Sequence, residues 1–199
     1  VPPTLSAGVL LDQGMKRGFL SRQERALATE LVYGVLRQRN WLDWAIQQFS
    51  NRPVSEISPN VLHILRIAAY QILFLDKIPP SAAVHEAVNL AKKSSPSGKM
   101  QAASGFVNAV LRALDRGKNE IRPLDPMDPV RALSIETSHP EWLVRRWTER
   151  YGLERARALC HINNEIPPLT LRVNTLFLSR DAYLQILKEK GIATTPCLF

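Results

Sequence analysis

Cysteine is scarce. Cys160 and Cys197 are the only two in 199 residues, and neither belongs to a C-x-x-C pair of the kind found in redox or zinc motifs. No disulfide framework is implied, and a reducing, cytoplasmic compartment is the expected location. The nine glycines stand singly, which excludes a G-x-G-x-x-G turn and a phosphate loop from these residues. Long apolar runs are missing as well: Val61 to Leu75 is broken by His63, Arg66 and Gln71, short of the roughly 20 residues that a membrane helix needs. No membrane partner is expected. Metal-ligand spacing is also absent, because His63, His85, His139 and His161 form no H-E-x-x-H and Cys160 is merely adjacent to His161. Glu24, Glu86 and Glu141 sit where helix caps and solvated helix faces account for them. No catalytic, cofactor-binding or metal-binding residue is therefore assigned.

The remaining shortage is of acid. Eighteen Asp and Glu face 26 Lys and Arg, a formal net charge of +8, and the isoelectric point is near 9.9. Such an excess points to a polyanionic partner, and to nucleic acid before an anionic membrane, since no basic amphipathic helix stands apart from the fold. The chain starts at Val1 without methionine and stops at Phe199 inside an element, so it is expected to be a piece of a longer protein.

What is present is mostly helix. Ser21 with Glu24 reads as a capping box, Ser58 with Pro59 as an N-cap followed by proline, and Ser81 follows the breaker Pro79-Pro80. Apolar spacing predicts helices over Thr4 to Met15, Ser21 to Arg39, Trp41 to Phe49, Val61 to Leu75, Val84 to Ala91 and Ala103 to Leu114, with Lys92 to Lys99 as a loop. Val61 to Leu75 is apolar almost all round and is expected at the centre of an all-α bundle. A domain boundary is placed near residue 120. A second capping box, Ser138 with Glu141, opens a helix that ends at Gly152, and Leu153 to Asn164 makes another. Beyond Pro167-Pro168, Leu169, Leu171 and Val173 alternate with Thr170, Arg172 and Asn174, the pattern of a strand. A helix over Ser179 to Lys190 and a second strand from Ile192 complete the start of an α+β module.

The basic residues cluster. Lys92, Lys93, Lys99, Arg112, Arg116 and Lys118 stand against the single acid Asp115 between positions 92 and 118. On the helix Ala103 to Leu114, Ser104, Gly105, Asn108 and Arg112 lie opposite the apolar face. Cations there would meet phosphates, and Asn108 would reach a base edge or a 2′-hydroxyl, or else brace two helices. Arg37 and Arg39 form a second group, equally explained by a helix C-terminus. Arg172 and Asn174 on one face of the expected strand fit RNA or an edge-strand guard. Trp142 and Trp147 are expected to anchor their helix to a core rather than to stack bases.

Several separated segments carry a resemblance: Arg25 to Ile46 (RALATELVYGVLRQRNWLDWAI), Leu65 to Lys93 (LRIAAYQILFLDKIPPSAAVHEAVNLAKK), Ala103 to Leu114 (ASGFVNAVLRAL), Ser138 to Trp147 (SHPEWLVRRW) and Leu171 to Leu176 (LRVNTL). They resemble the amino-terminal part of the RsmB/Sun (Fmu) family of ribosomal RNA small-subunit methyltransferases. The resemblance implies a NusB-like, RNA-binding helical bundle over 1–120, connecting helices over 121–166, and over 167–199 the start of an α+β subdomain that precedes a methyltransferase domain. It further implies S-adenosylmethionine as the cofactor of the full-length enzyme, cytosine C5 as the methylated atom, and small-subunit ribosomal RNA and the chain's own carboxy-terminal domain as partners. The family's catalytic cysteines are not matched by Cys160 or Cys197. Val1 to Met15 also lacks the arginines of the NusB RNA-binding arm, which leaves Lys16, Arg17, Arg22, Arg37, Arg39 and the 92–118 region for RNA. Two other expectations stand beside this one: a free-standing NusB-like antitermination factor, and a protein-binding helical module whose basic surface attracts an acidic partner or the rest of its own chain.

Overall fold

The computed structural model describes residues 6–94 and 100–197. Among them are ten α-helices, two short 3-10 turns and no strand. The chain divides into two compact units at Asn164/Glu165.

In the first unit, α1 (Ala7–Arg17), α2 (Arg22–Arg37), α3 (Arg39–Phe49), α4 (Pro59–Phe74), α5 (Pro80–Ser94) and α6 (Met100–Gly117) form the bundle. Its core runs from Leu42 to Leu114, and α4 lies in the middle, packed on α2, α3, α5 and α6. A helix that is apolar all round has to be enclosed, and α4 buries Ile64, Leu65, Ala68, Ala69, Tyr70 and Ile72. Two polar contacts set its register. Arg66 holds Asp43 of α3 through two parallel bonds of 2.7 Å, and the Tyr70 hydroxyl donates to Glu30 of α2 at 2.7 Å. The Tyr70 ring lies against Gly34, where an added Cβ would come within 2.1 Å of Cζ. Burial, then the bond to Glu30, pushes the Tyr70 hydroxyl up to about 12, so it stays a donor at neutral pH.

Of four local expectations, two need correction. The Ser21/Glu24 capping box forms, and Ser58 is the N-cap of α4 with Pro59 at its start, without a side-chain cap bond. Lys92 and Lys93 belong to the last turn of α5 rather than to a loop, a position that the helix dipole favours for cations. Ser138 and Glu141 form no capping box. Pro140 keeps His139 out of helical conformation, so α8 (Glu141–Tyr151) starts after Pro140 as its N-cap.

Ser138 instead caps a helix far away in sequence. Its hydroxyl accepts from the backbone N–H groups of Asn40 at 3.1 Å and Trp41 at 3.4 Å, in the first turn of α3, whose own N-cap Gln38 supplies no side-chain bond. To reach them Ser138 adopts φ 56°, in the left-handed region. The Asn40 amide returns a 3.5 Å bond to the Ser134 carbonyl. These bonds tie α7 (Pro129–Glu136) to the bundle, and α7, α8 and α9 (Leu153–Asn164) share a small core of Leu133, Val144, Ala156 and Cys160. The connection from α6 is also fastened: Arg122 donates its N–H to Gln48 at 2.7 Å and accepts from Trp44 Nε1 at 3.3 Å.

In the second unit, Ser179 caps α10 (Arg180–Glu189) by accepting from Ala182 N–H at 3.2 Å. The expected strands at Leu169–Asn174 and from Ile192 are not assigned among the described residues. A strand is defined by a ladder, and no second strand is present there to complete one.

Three outcomes are expected. Gly34→Ala forces the Tyr70 ring aside and lowers stability by about 1–3 kcal/mol in thermal or urea denaturation. Ser138→Ala loses the cap and keeps the left-handed strain, costing about 1–2 kcal/mol; Ser138→Gly loses the cap but relieves the strain and falls between it and the parent. Tyr70 has a raised folded-state value, so its contribution is complete below pH 10 and is lost as pH rises towards 12; Tyr70→Phe removes that part of the alkaline unfolding profile.

Candidate nucleic-acid interface

Helix α6 buries Val107, Val110, Leu111 and Leu114, the face that its three- and four-residue spacing predicts. Ser104 is 5% exposed and turns inward with Val107 and Leu111, so the outward stripe is Gly105, Asn108, Arg112 and Arg116. A Cβ on Gly105 would meet nothing within 4 Å, which leaves that backbone open from outside. Asn108 is half-buried and its Oδ1 accepts from Arg112 Nε at 2.9 Å. It thus orients an arginine of its own helix, and no bond from it to another helix is found among the described residues. Arg112 and Arg116 are exposed and form no ion pair among the described residues.

Continuity in sequence becomes spread in space. Lys92 and Lys93 are exposed at the carboxy-terminal end of α5, whereas Arg112 and Arg116 lie about 18 and 24 Å along α6 from its start, at about 1.5 Å per residue. Lys118 pairs with Asp115 at 3.4 Å, and Lys99 lies outside the described residues. Cations spaced in this way would suit phosphates rather than base edges.

The other candidates separate. Arg39 is exposed at the start of α3, while Arg37 is half-buried and acts electrostatically on Tyr70. In the second unit Arg172 is exposed, and Asn174 closes an Asx turn, its Oδ1 accepting from Leu176 N–H at 3.1 Å. The two therefore do not project from one face of a strand.

Other residues gain prominence from the structure. Arg52 sits over the Phe106 ring at 5.3 Å. A groove of about 790 Å³ between α3, α4 and residues 118–124 is walled by Trp41, Trp44 and Phe74, with Lys118 and Arg122 offset by Asp76 and Glu136. Trp147 packs on the second core as expected, but Trp142 is 65% exposed and anchors nothing. Its register carried the signal: Trp142, Arg146 and Arg150 recur every four residues, away from Val144 and Trp147. Cys160 is buried, and burial pushes its thiol up, the opposite of an activated nucleophile. Among the described residues no cluster of His, Cys, Asp and Glu has the makings of a metal site, and no helix is long and apolar enough to cross a membrane.

Known proteins share both parts of this chain. Residues 139–199 match the Methyltr_RsmF/B-like, ferredoxin-like domain, and residues 7–116 match the NusB family. The chain is 42% identical over 187 residues to a probable ribosomal RNA small subunit methyltransferase B of Bacillus subtilis, covering 94% of this chain and 40% of that protein. A probable ribosomal RNA small subunit methyltransferase B of Synechocystis is 34% identical over 94% of this chain and 41% of its own length. The ribosomal RNA small subunit methyltransferase B of Pseudomonas putida is 35% identical over 90% and 39%. The chain spans about two fifths of the length of these curated relatives. With a NusB match that covers residues 7–116, all six helices of the bundle, and a second match beginning at residue 139, the chain belongs to the NusB family and continues into an RsmF/B-like, ferredoxin-like domain.

Proposed function

We propose that the chain is the RNA-holding amino-terminal part of a cytoplasmic, S-adenosylmethionine-dependent methyltransferase that modifies cytosine C5 in small-subunit ribosomal RNA. The observation that carries this reading is its extended similarity, 42% identity across 94% of the chain, to a probable small-subunit rRNA methyltransferase. The basic, outward stripe of α6 supports the RNA part, since Arg112 and Arg116 meet no acid among the described residues.

The described residues do not fit S-adenosylmethionine. A cradle of the usual doubly wound kind needs a glycine-rich turn between a strand and a helix, and here there is no strand and no paired glycine. Methyl transfer is accordingly assigned to a carboxy-terminal catalytic domain like that of the longer relatives, and residues 1–199 alone are proposed to bind RNA without turnover. In this arrangement the bundle orients the RNA for that domain, residues 121–166 connect the two, and residues 167–199 open the α+β subdomain between them.

Binding of the chain to a small-subunit rRNA fragment at 50 and 200 mM salt tests the reading. Affinity should fall steeply with salt, and replacing Lys92, Lys93, Arg112 and Arg116 together by alanine should flatten the log–log slope by up to about 3, at about 0.7–0.9 for each phosphate no longer neutralised. Absence of affinity at 50 mM would sink it.

A further inference from the structure

Arg52 lies outside the basic stretch of 92–118, yet the fold carries it to α6. It follows α3 in a turn fastened by its own backbone: the Ser50 hydroxyl donates to the Arg52 carbonyl at 2.7 Å and accepts from its N–H at 3.1 Å, and Gln47 Nε2 donates to the same carbonyl at 3.3 Å. Its guanidinium stands 5.3 Å from the centre of the Phe106 ring. Arg52 is exposed and forms no ion pair among the described residues. Phe106 follows Gly105 and marks one border of the outward strip of α6. At 3.6 residues per turn, Ala102, Gly105, Ala109, Arg112 and Arg116 fall within about a quarter of the helix circumference, and all five are exposed. Phe106 borders this strip on one side and Asn108 on the other. Each border holds an arginine in place: the Phe106 ring holds Arg52, and Asn108 Oδ1 holds Arg112 at 2.9 Å. Between them the floor is Gly105 and Ala109, with no side chain beyond a Cβ.

We infer that this strip is a seat for double-stranded RNA, with Arg52 as a phosphate contact on one flank and Arg112 on the other. The inference rests on the RNA-binding reading and names its substrate class. Phe106 and Arg112 are six residues apart, about 9 Å along α6 and about a third of a turn around it. The two guanidinium groups therefore stand on opposite sides of a low floor and not in one row. A single row follows one strand, whereas cations on both sides of a floor meet two. Single-strand binding uses free rings to take base faces, and the strip has none: its outward residues are alanine, glycine and arginine, and the ring beside it already carries Arg52. A-form RNA instead presents a wide, shallow minor groove lined by 2′-hydroxyls and read by shape, which a helix with Gly105 and Ala109 outermost can approach closely. Asn108 suits the same groove, because its amide N–H donors hold no bond among the described residues and a 2′-hydroxyl accepts one. Both arginines are oriented before RNA arrives, which lowers the ordering cost of each contact. An acidic protein would meet the same cations but find no large apolar anchor on the strip, the feature that concentrates protein affinity.

The test measures binding of the full 199-residue chain to an RNA duplex of about 16 base pairs, the span of a shape-reading module, at several salt concentrations. A DNA duplex of the same sequence, an unpaired single-stranded RNA of the same length and polyglutamate serve as competitors. The RNA duplex should bind more tightly than all three. Arg52→Gln keeps the length of the side chain and removes its charge, and should flatten the log–log slope on the RNA duplex by about 0.9, one phosphate; Arg52→Lys should keep the parent's slope. An arginine that merely covered Phe106 would change the melting temperature and not the slope. Gly105→Leu raises the floor. Its Cβ meets nothing within 4 Å and leucine favours a helix over glycine, so the melting temperature should not fall, while duplex affinity should drop about tenfold, the loss of one charged hydrogen bond. An unchanged slope for Arg52→Gln, parent-like duplex binding by Gly105→Leu, or any competitor bound as tightly as the RNA duplex overturns the inference. If the parent binds no RNA at 50 mM salt, the RNA reading falls and the duplex seat with it. If the parent binds RNA and alanine at Arg112 and Arg116 weakens it while Arg52→Gln does not, the seat alone falls.

Discussion

Enclosure of α4 is the constraint on which the rest of the bundle depends. Six of its sixteen residues are buried outright, and α2, α3, α5 and α6 all pack against it, leaving exposed only Pro59, Asn60, His63 and Phe74. A helix of this composition is unstable alone in water and becomes stable only when other helices bring their own apolar stripes to it. The two polar devices on α4 then select one arrangement among those that would bury the same area. The Arg66–Asp43 fork aligns it with α3, and Tyr70, wedged on Gly34 and bonded to Glu30, aligns it with α2. Because Tyr70 requires Gly34 to have no Cβ, a single missing methyl group sets how closely two helices approach.

A second constraint acts over nearly a hundred residues of sequence. The amino-terminal N–H groups of α3 find no local acceptor and are met by Ser138, held in a left-handed conformation for the purpose. Unsatisfied N–H groups at a helix start are costly when water is displaced, so the cap stabilises α3 and docks α7 in one step. Trp44 and Gln48 of α3 secure the connecting segment through Arg122. Helix α3 is thereby the element through which the bundle carries α7 to α9, and it sets where the outward face of α8 stands relative to α6.

The α6 stripe offers guanidinium groups on a helix about 27 Å long, 18 residues at about 1.5 Å each, suited to following a backbone.

Sequence alone determined the helical class, the order and approximate limits of the helices other than α7, the central place of α4 and the excess of positive charge. Those properties are local or compositional: a 3.6-residue period, a capping box at Ser21 and a run without polar faces each follow from neighbours in the chain. It also carried the face of Trp142, since the four-residue recurrence with Arg146 and Arg150 was there to be read, although the ring's size argued for a core. Tertiary structure decided what depends on distant partners. It gave Ser138 to α3 rather than α8, turned Ser104 inward, paired Asn108 with Arg112, set Arg37 beside Tyr70, and spread the contiguous cations of 92–118 along a helix. It also left Leu169 to Asn174 without a ladder among the described residues. A hydrogen bond or an ion pair forms with whatever group the fold brings near, and that is not written in the spacing of either residue; a strand, likewise, is a relation between two segments and cannot be completed by one.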